Sequence, residues 1–552
     1  MNTRAAEVEG PEGLSPFSRV LVFFAVALGL YLYLGGLDRL PMQRGNEPMY
    51  AAPAVWMLES GDYLVPHYEG GPFLQKPPLT WWIIAASYKL LGVSVLAERL
   101  PSALAALATV LVVGRWVRRR SGVRAGWLAA LILMFSFSFL QLSVTFAADS
   151  FLTLAISLAV IALDGATRRE DGSDLAWGLR AGAALALAFY FKGLAGVVLP
   201  VGSVAVGLLL DRKRPVRLLR RGAAAAVTLL ALLAPWHWAM HRRIGDRFWW
   251  AFYWENQFLR GASTRYMRER GPFYYLGILA WAVFPWSLFI PGALKRRPPS
   301  SAPLGWFLFT LLFWTMVVQK REVYLLTLFP AAAVLVAESL SRESVGPSRW
   351  RRLPWILAAG VAGLALALWL HAFRGPVALV GEGPSILVAL GLFLVAAALA
   401  FGAVSPGAHA APFVAALACA ILLAATQVFE SRLAGFDPSP RWGAAVRAEC
   451  GGGCDTYLYG IHAYSMDFYS GRDWVMVPDL SAEFLKRLRH ERGFLVIPTD
   501  QEGALAQLPF RWEVLDRSPI LDKSWLSAAL GRSDRAFRSL SLVRFDRTPT
   551  PN

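Results

Sequence analysis

Apolar runs of about 18–20 residues recur from Val20 to Val428, with short polar connections between most of them. Each run is long enough to cross roughly 30 Å of hydrocarbon as a helix, the one open-chain structure that satisfies its own backbone there. A water-soluble helical chain would instead show amphipathic periodicity. The runs predict spans over residues 20–37, 100–117, 125–144, 150–167, 177–192, 194–211, 222–240, 273–293, 303–319, 322–341, 353–372, 385–403 and 411–428, about thirteen in all. The apolar segment Leu79–Leu91 is too short to span comfortably and is expected to lie in the interface. That leaves one large outer loop, residues 38–99, carrying two or three short juxtamembrane helices.

From Phe429 onward the pattern changes. Thr456–Gly460, Trp474–Val477 and Phe494–Pro498 read as strands, while Ala463–Tyr469, Ser481–Glu491 and Glu502–Leu508 read as helices between them. The expected architecture is a polytopic α-helical membrane protein: a transmembrane part over residues 1–428, then a small soluble α/β domain over residues 429–552.

Composition supports the class: hydrophobic residues make up 56% of the chain, and the mean hydropathy is +0.44. The formal charge of +17 would suggest nucleic acid in a soluble protein. Here the basic clusters Arg115–Arg120, Arg168-Arg169, Arg212–Arg214, Lys295–Arg297 and Arg349–Arg352 sit between spans. That is the positive-inside pattern, and no basic and aromatic reading surface accompanies it, so no nucleic-acid partner is expected. The same pattern puts the 38–99 loop and the C-terminus outside. The first run reads as a retained span, since acidic residues and no cleavage site precede it. Three cysteines exclude a disulfide scaffold; Cys450 and Cys454 read equally as a disulfide or as two thiols.

Candidate chemistry collects on the outer side. Glu47 and Asp62 lie in the first loop, and Asp149 and Lys192 at span ends. Lys320 and Arg321 cap a further span, and seven arginines fall between His241 and Arg270. Ionisable groups at membrane-helix ends are functional candidates. Asp149 also reads as a helix cap, Asp62 as a turn residue, and the lysines as snorkelling to headgroups. The arginines need anions, which either substrate phosphates or anionic lipids supply. Transport is disfavoured, because no internal repeat is visible.

Gly45-Asn46-Glu47-x-x-Tyr50, Ser60-Gly61-Asp62-Tyr63, Gln75-Lys76-Pro77-Pro78-Leu79, Ala148-Asp149-Ser150 and Lys192-Gly193 come in that order. Pro235-Trp236, Pro285-Trp286 and Lys320-Arg321-x-x-Tyr324 follow. The set resembles the membrane glycosyltransferases of the C superfamily, nearest the aminoarabinose (lipid A) transferase and protein O-mannosyltransferase-like branches. The resemblance implies a polyprenyl-phosphate-linked sugar as donor and inverting transfer to a lipid A, glycolipid or protein acceptor. It also implies a bacterial inner membrane, with the site and the C-terminal domain periplasmic and membrane lipids as neighbours.

On that resemblance, Glu47, Asp149 and Asn46 are the catalytic candidates. Lys76, Lys192, Lys320, Arg321, Arg260, Arg270 and Tyr324 would bind the donor phosphate, with Tyr50, Gln75, Pro77 and Pro78 shaping the loop. The chain departs from the pattern in three places: Asn46 replaces the usual Asp, Met49 an Arg, and Gln75 a Glu. An amide is no general base. The family's metal-linked histidine is not evident in Arg265–Arg268, so no cofactor is expected with certainty and no metal ligands are identified, although the family admits a divalent ion. Three lost charges imply altered chemistry, a metal-free site, or an impaired relative that binds a lipid-linked sugar or scaffolds a partner.

Overall fold

The computed structural model of the 552-residue chain describes residues 14, 16–42, 47–68, 71–145, 147–168, 172–212, 218–259, 270–284, 286–295 and 301–342 of the helical part. It also describes a few residues between 416 and 424, and residues 437–546 apart from 452, 460–464, 473, 478–479, 481 and 522–536. The predicted spans at 353–372 and 385–403, and most of 411–428, lie outside the described residues.

The helices in chain order are α1 (Pro16–Leu34), α2 (Pro48–Ser60), α3 (Leu79–Leu91), α4 (Val95–Met134), α5 (Phe137–Thr145), α6 (Ala147–Arg168), α7 (Asp174–Lys192), α8 (Leu194–Asp211), α9 (Leu218–Ile244) and α10 (Asp246–Trp249). Among the described residues, five helices are long and apolar enough to cross a membrane: Val95–Met134, Ala148–Arg168, Leu194–Asp211, Leu219–Ile244 and Glu322–Ser341. Ser18–Leu34 and Ala302–Met316 are shorter apolar helices. At 13 residues, α3 is about 20 Å long and is not among the candidate spans. The predicted span 100–117 and the first half of the span 125–144 fall in the 40-residue α4, a hairpin folded at Gly122. Gly122 has φ 91° and ψ 172°, a conformation that a Cβ would strain. The second arm ends at Met134, and α5 begins at Phe137 after two intervening residues.

Other predicted elements need correction. The span over 273–293 is broken into Tyr274–Ala282, a 3₁₀ turn Trp286–Phe289 and Ile290–Lys295, around Pro285, which has no N–H to donate. The span over 322–341 opens as a 3₁₀ turn, Glu322–Leu328, before the helix Phe329–Ser341. The stretch after His241 is not an open loop. α9 continues to Ile244, and α10 leads into a π-helix, Trp250–Leu259, whose wider turn is uncommon and often found at functional sites.

Far from the first loop, the helix ends are tied by charge. Arg120 Nε reaches Glu338 Oε1 at 3.2 Å, and Ser121 Oγ donates to the same oxygen at 2.8 Å. Arg168 pairs with Asp164 one helical turn away and with Asp211 Oδ2 at 2.5 Å. Arg221 Nε pairs with Asp174 Oδ1 at 2.8 Å.

The C-terminal residues form a five-stranded sheet in the order β4-β3-β5-β7-β6, with β3 Asp455–Tyr459, β4 Val475–Val477, β5 Arg492–Pro498, β6 Arg511–Leu521 and β7 Phe537–Asp546. β3 runs parallel to β4 and β5, while β7 is antiparallel to β5 and β6. Alternation along β5 sends Phe494 and Val496 into one apolar cluster and Leu495 and Ile497 into the other, so both faces are covered. Cys450 and Cys454 are disulfide-bonded, and Cys419 is a buried thiol.

Candidate active site

The first loop is fixed from inside by Arg99, near the start of α4. Its guanidinium is buried, donating to both oxygens of Glu47 at 2.6 and 2.8 Å and to the carbonyls of Leu37, Leu40 and Pro41 at 2.7–2.9 Å. Glu47 is fully buried and commits both oxygens to this bidentate pair. The geometry therefore gives Glu47 a fixed structural partner directly before α2. Asp62, after α2, turns the chain: its Oδ1 accepts the N–H of Leu64 at 2.9 Å and of Val65 at 3.3 Å. Its other oxygen takes Arg243 Nη2 at 3.3 Å. Burial pushes the Asp62 pKa up, but the two N–H bonds and Arg243 outweigh it and hold the carboxyl below its ordinary value.

The Lys76 ammonium donates to the Tyr50 hydroxyl and lies 4.5 Å from that ring's centroid. Lys76 is brought there by a short hairpin, β1 (His67–Tyr68) with β2 (Gly71–Pro72), and by the buried Pro77 and Pro78, the latter capping α3. Two indoles sew this layer together: Trp81 Nε1 donates to Met49 O at 3.2 Å and Trp82 Nε1 to Tyr63 O at 2.6 Å. Burial, then the charge of Asp149, raises the Tyr50 pKa, with Arg321 acting against them. Asp149, Arg321 and Tyr324 thus share an electrostatic neighbourhood with Tyr50.

Asp149, in the first turn of α6, and Lys192, the last residue of α7, form a direct ion pair. The Lys192 ammonium lies 4.2 Å from the Tyr324 ring centroid and 5.4 Å from that of Trp314, and those two rings stack at 4.4 Å. α7 stops because Gly193 turns to φ 64°, ψ −139°. The Gln257 carboxamide occupies the space a Cβ would need there, at 2.8 Å, and its Oε1 accepts Leu194 N at 3.2 Å. The π-helix thereby supplies the group that braces the turn after Lys192.

Arg321 is set by Tyr275, whose hydroxyl meets both its N–H and its carbonyl at 3.1 Å. Lys320 is buried and donates to Val317 O at 2.9 Å, within its own turn. Arg270 lies 4.4 Å from the Tyr274 ring centroid. Gln75 is half-buried beside Lys76. Asn46 and Arg260 lie outside the described residues. The structure thus brings Tyr50, Lys76, Asp149, Lys192, Arg321 and Tyr324 together, and commits Glu47 and Lys320 to other partners.

Sequence reading missed Arg99, Trp314 and Gln257, and noted Tyr275 only within the run Pro272-Phe273-Tyr274-Tyr275. Arg99 carried a visible signal, an ionisable residue at the edge of an apolar run. The other two are ordinary residues whose roles depend on partners far along the chain. Among the described residues, no three His, Cys, Asp or Glu side chains gather as a metal site. The Asp149 carboxylate is taken by an ammonium and position 75 offers an amide, so the described donor set does not fit a metal ion.

The family model described as dolichyl-phosphate-mannose-protein mannosyltransferase matches residues 75–238. The crystal structure of ArnT from Cupriavidus metallidurans bound to undecaprenyl phosphate superposes with a TM-score of 0.74 at 20% identity, covering 98% of this chain and 100% of that one. The undecaprenyl phosphate-alpha-4-amino-4-deoxy-L-arabinose arabinosyl transferase 2 of Pseudomonas fluorescens is 29% identical over 369 residues, 64% of this chain and 62% of the relative. The match thus spans somewhat under two thirds of that relative's length. The corresponding transferase of Pectobacterium carotovorum is 30% identical over 412 residues, 70% of each chain. Fold and site together define a polytopic membrane protein of the C-superfamily glycosyltransferase class. Within that class, the chain belongs to the family of the undecaprenyl phosphate-aminoarabinose arabinosyl transferases.

Proposed function

We propose that the chain transfers a sugar, with inversion, from a polyprenyl-phosphate donor to a lipid or protein acceptor at the outer face of the bacterial inner membrane. The observation that carries the reading is the convergence of the Asp149–Lys192 pair with Lys76, Tyr50 and Arg321. In this reading Lys76, Lys192 and Arg321 stabilise the phosphate as the sugar leaves and its negative charge grows. Asp149 orients the acceptor hydroxyl or phosphate and receives its proton where it has one. Inversion places the acceptor on the sugar face opposite the lipid phosphate. Glu47 acts through Arg99, by holding the loop that presents Tyr50. No step is assigned to a metal ion. The five-stranded sheet is taken as a separate periplasmic domain that carries none of the reacting groups.

The test is incubation of the purified protein with a radiolabelled polyprenyl-phosphate sugar and membrane extract. Label moving to an acceptor supports the enzyme. Retention of label without transfer would support instead an impaired relative that binds a lipid-linked sugar, a reading favoured by Asn46 and by the buried commitment of Glu47.

A further inference from the structure

Among the described residues, the C-terminal sheet region meets the first loop by ring packing and by one hydroxyl. Tyr469, in the helix Ser465–Ser470, accepts the backbone N–H of Met42 at 2.9 Å, across 427 residues of chain. Met42 is fully buried, and a buried N–H needs an acceptor. The Tyr469 ring packs against the main helical core, and its hydroxyl shares an electrostatic environment with Arg99 and Glu47. The tyrosine is itself held from behind. Arg447 donates to its carbonyl at 2.6 Å, and Gly443 leaves no room for a Cβ, which would stand 2.4 Å from Tyr469 Cβ. The backbone leading to α2 is therefore gripped twice: Arg99 takes the carbonyls of Leu37, Leu40 and Pro41, and Tyr469 takes the next N–H. α2 begins directly after Glu47 and carries Tyr50, the partner of Lys76.

We propose that Tyr469 is a positioning residue, through which the C-terminal sheet region fixes α2 and hence the Tyr50–Lys76 pair. The contact stands on geometry alone; its consequence for transfer rests on the glycosyltransferase reading above. The C-terminal region then supplies no reacting group, yet the donor site is misplaced without its hydroxyl.

The experiment is Tyr469→Phe in the full-length protein, which keeps the ring and removes the acceptor. Hydrogen exchange over residues 40–51 and affinity for polyprenyl phosphate are measured beside transfer. The expectation is exchange at Met42 and the first turn of α2 faster by about tenfold, polyprenyl phosphate binding weaker, and donor kcat/KM lower by about tenfold with acceptor KM unchanged. Arg517→Ala, which breaks an ion pair at the solvent side of the same sheet, should move none of these. Unchanged exchange in Tyr469→Phe, or faster exchange with unchanged lipid binding, overturns the proposal. If the unsubstituted protein transfers nothing, the glycosyltransferase reading fails, and exchange with lipid binding still decides the role of Tyr469.

Discussion

Lys192 closes α7 and Asp149 opens α6, and the two side chains meet in a direct ion pair beneath the stacked rings of Trp314 and Tyr324. An ion pair so placed serves two ends, since removing either partner strands a charge in a site with little water. Asp149→Asn keeps the shape and a hydrogen-bonding oxygen. It should lower transfer by roughly 10²-fold or more, and lower the melting temperature in detergent as well because Lys192 loses its counter-charge. Unchanged transfer would remove Asp149 from the mechanism. Lys192→Met should cost both activity and stability.

Lys76→Ala removes a charge-assisted bond to Tyr50 and a phosphate ligand. Donor KM should rise by about ten- to a hundredfold, as expected for a contact worth roughly 1.5–3 kcal/mol. Tyr50→Phe removes only the hydroxyl and should have the smaller effect. Equal donor KM in Lys76→Ala and the parent protein would take Lys76 out of the phosphate site.

Glu47 tests a structural role against a chemical one. Arg99→Ala strands the Glu47 carboxylate and three carbonyls, and should destabilise the protein by roughly 3–5 kcal/mol. Glu47→Gln should lower the melting temperature and transfer together. Loss of kcat with an unchanged melting temperature would show that Glu47 works on the acceptor instead.

At the turn after Lys192, Gly193→Ala places a methyl group against Gln257 at a backbone conformation that alanine resists, a cost of about 1–3 kcal/mol. Transfer should fall with it, because Lys192 is the preceding residue. Gln257→Leu removes the acceptor for Leu194 N and should give a milder version of the same loss. A Gly193→Ala protein with normal melting and normal transfer would refute the bracing role.

In the sheet, Glu502 takes Arg517 Nε and Nη2 at 2.7 Å and also bonds to Ser541. The bond with Arg517, outweighing partial burial, holds the Glu502 carboxyl below its ordinary value of 4.5. A depressed folded-state pKa contributes stability that is complete above 4.5 and is lost as pH falls through the lower folded value. The melting temperature of the sheet should therefore fall below pH 4.5, and Glu502→Gln should weaken that acid dependence. Identical melting curves for the two proteins across that range would contradict it.

The long apolar runs were legible because length and hydropathy alone decide them. Breaks inside them were not: the irregular turns near Phe135 and after Ala282 fall among residues a membrane span tolerates until packing bends the chain there, whereas the fold at Gly122 lies in the connection expected between residues 117 and 125. β6 and β7 escaped notice because charged residues interrupt them at Glu513, Asp516, Arg517, Arg538 and Arg544, several of which pair across the sheet or with nearby elements. Asp149 and Lys192 stood out by charge at span ends, and Lys76 by the Gln-Lys-Pro-Pro run in the first loop. What they touch was invisible, since Asp149 and Lys192 are 43 residues apart and Gln257 lies 63 residues from its partner Leu194. Glu47 shows the converse: its residue type suggested chemistry, and its partner Arg99, 52 residues on, could not be read from the sequence.

The charge ties among Arg120, Asp164, Arg168, Asp211 and Glu338 lie at the fold of the α4 hairpin and at the ends of α6, α8 and Phe329–Ser341 remote from Asp149, about 22–28 Å along α6. A bundle riveted there behaves like a fan held at its base. On the glycosyltransferase reading, opening to admit an isoprenoid chain falls to the rim near Asp149, where the 3₁₀ turn Glu322–Leu328 and the broken helix after Ala282 already interrupt regular backbone.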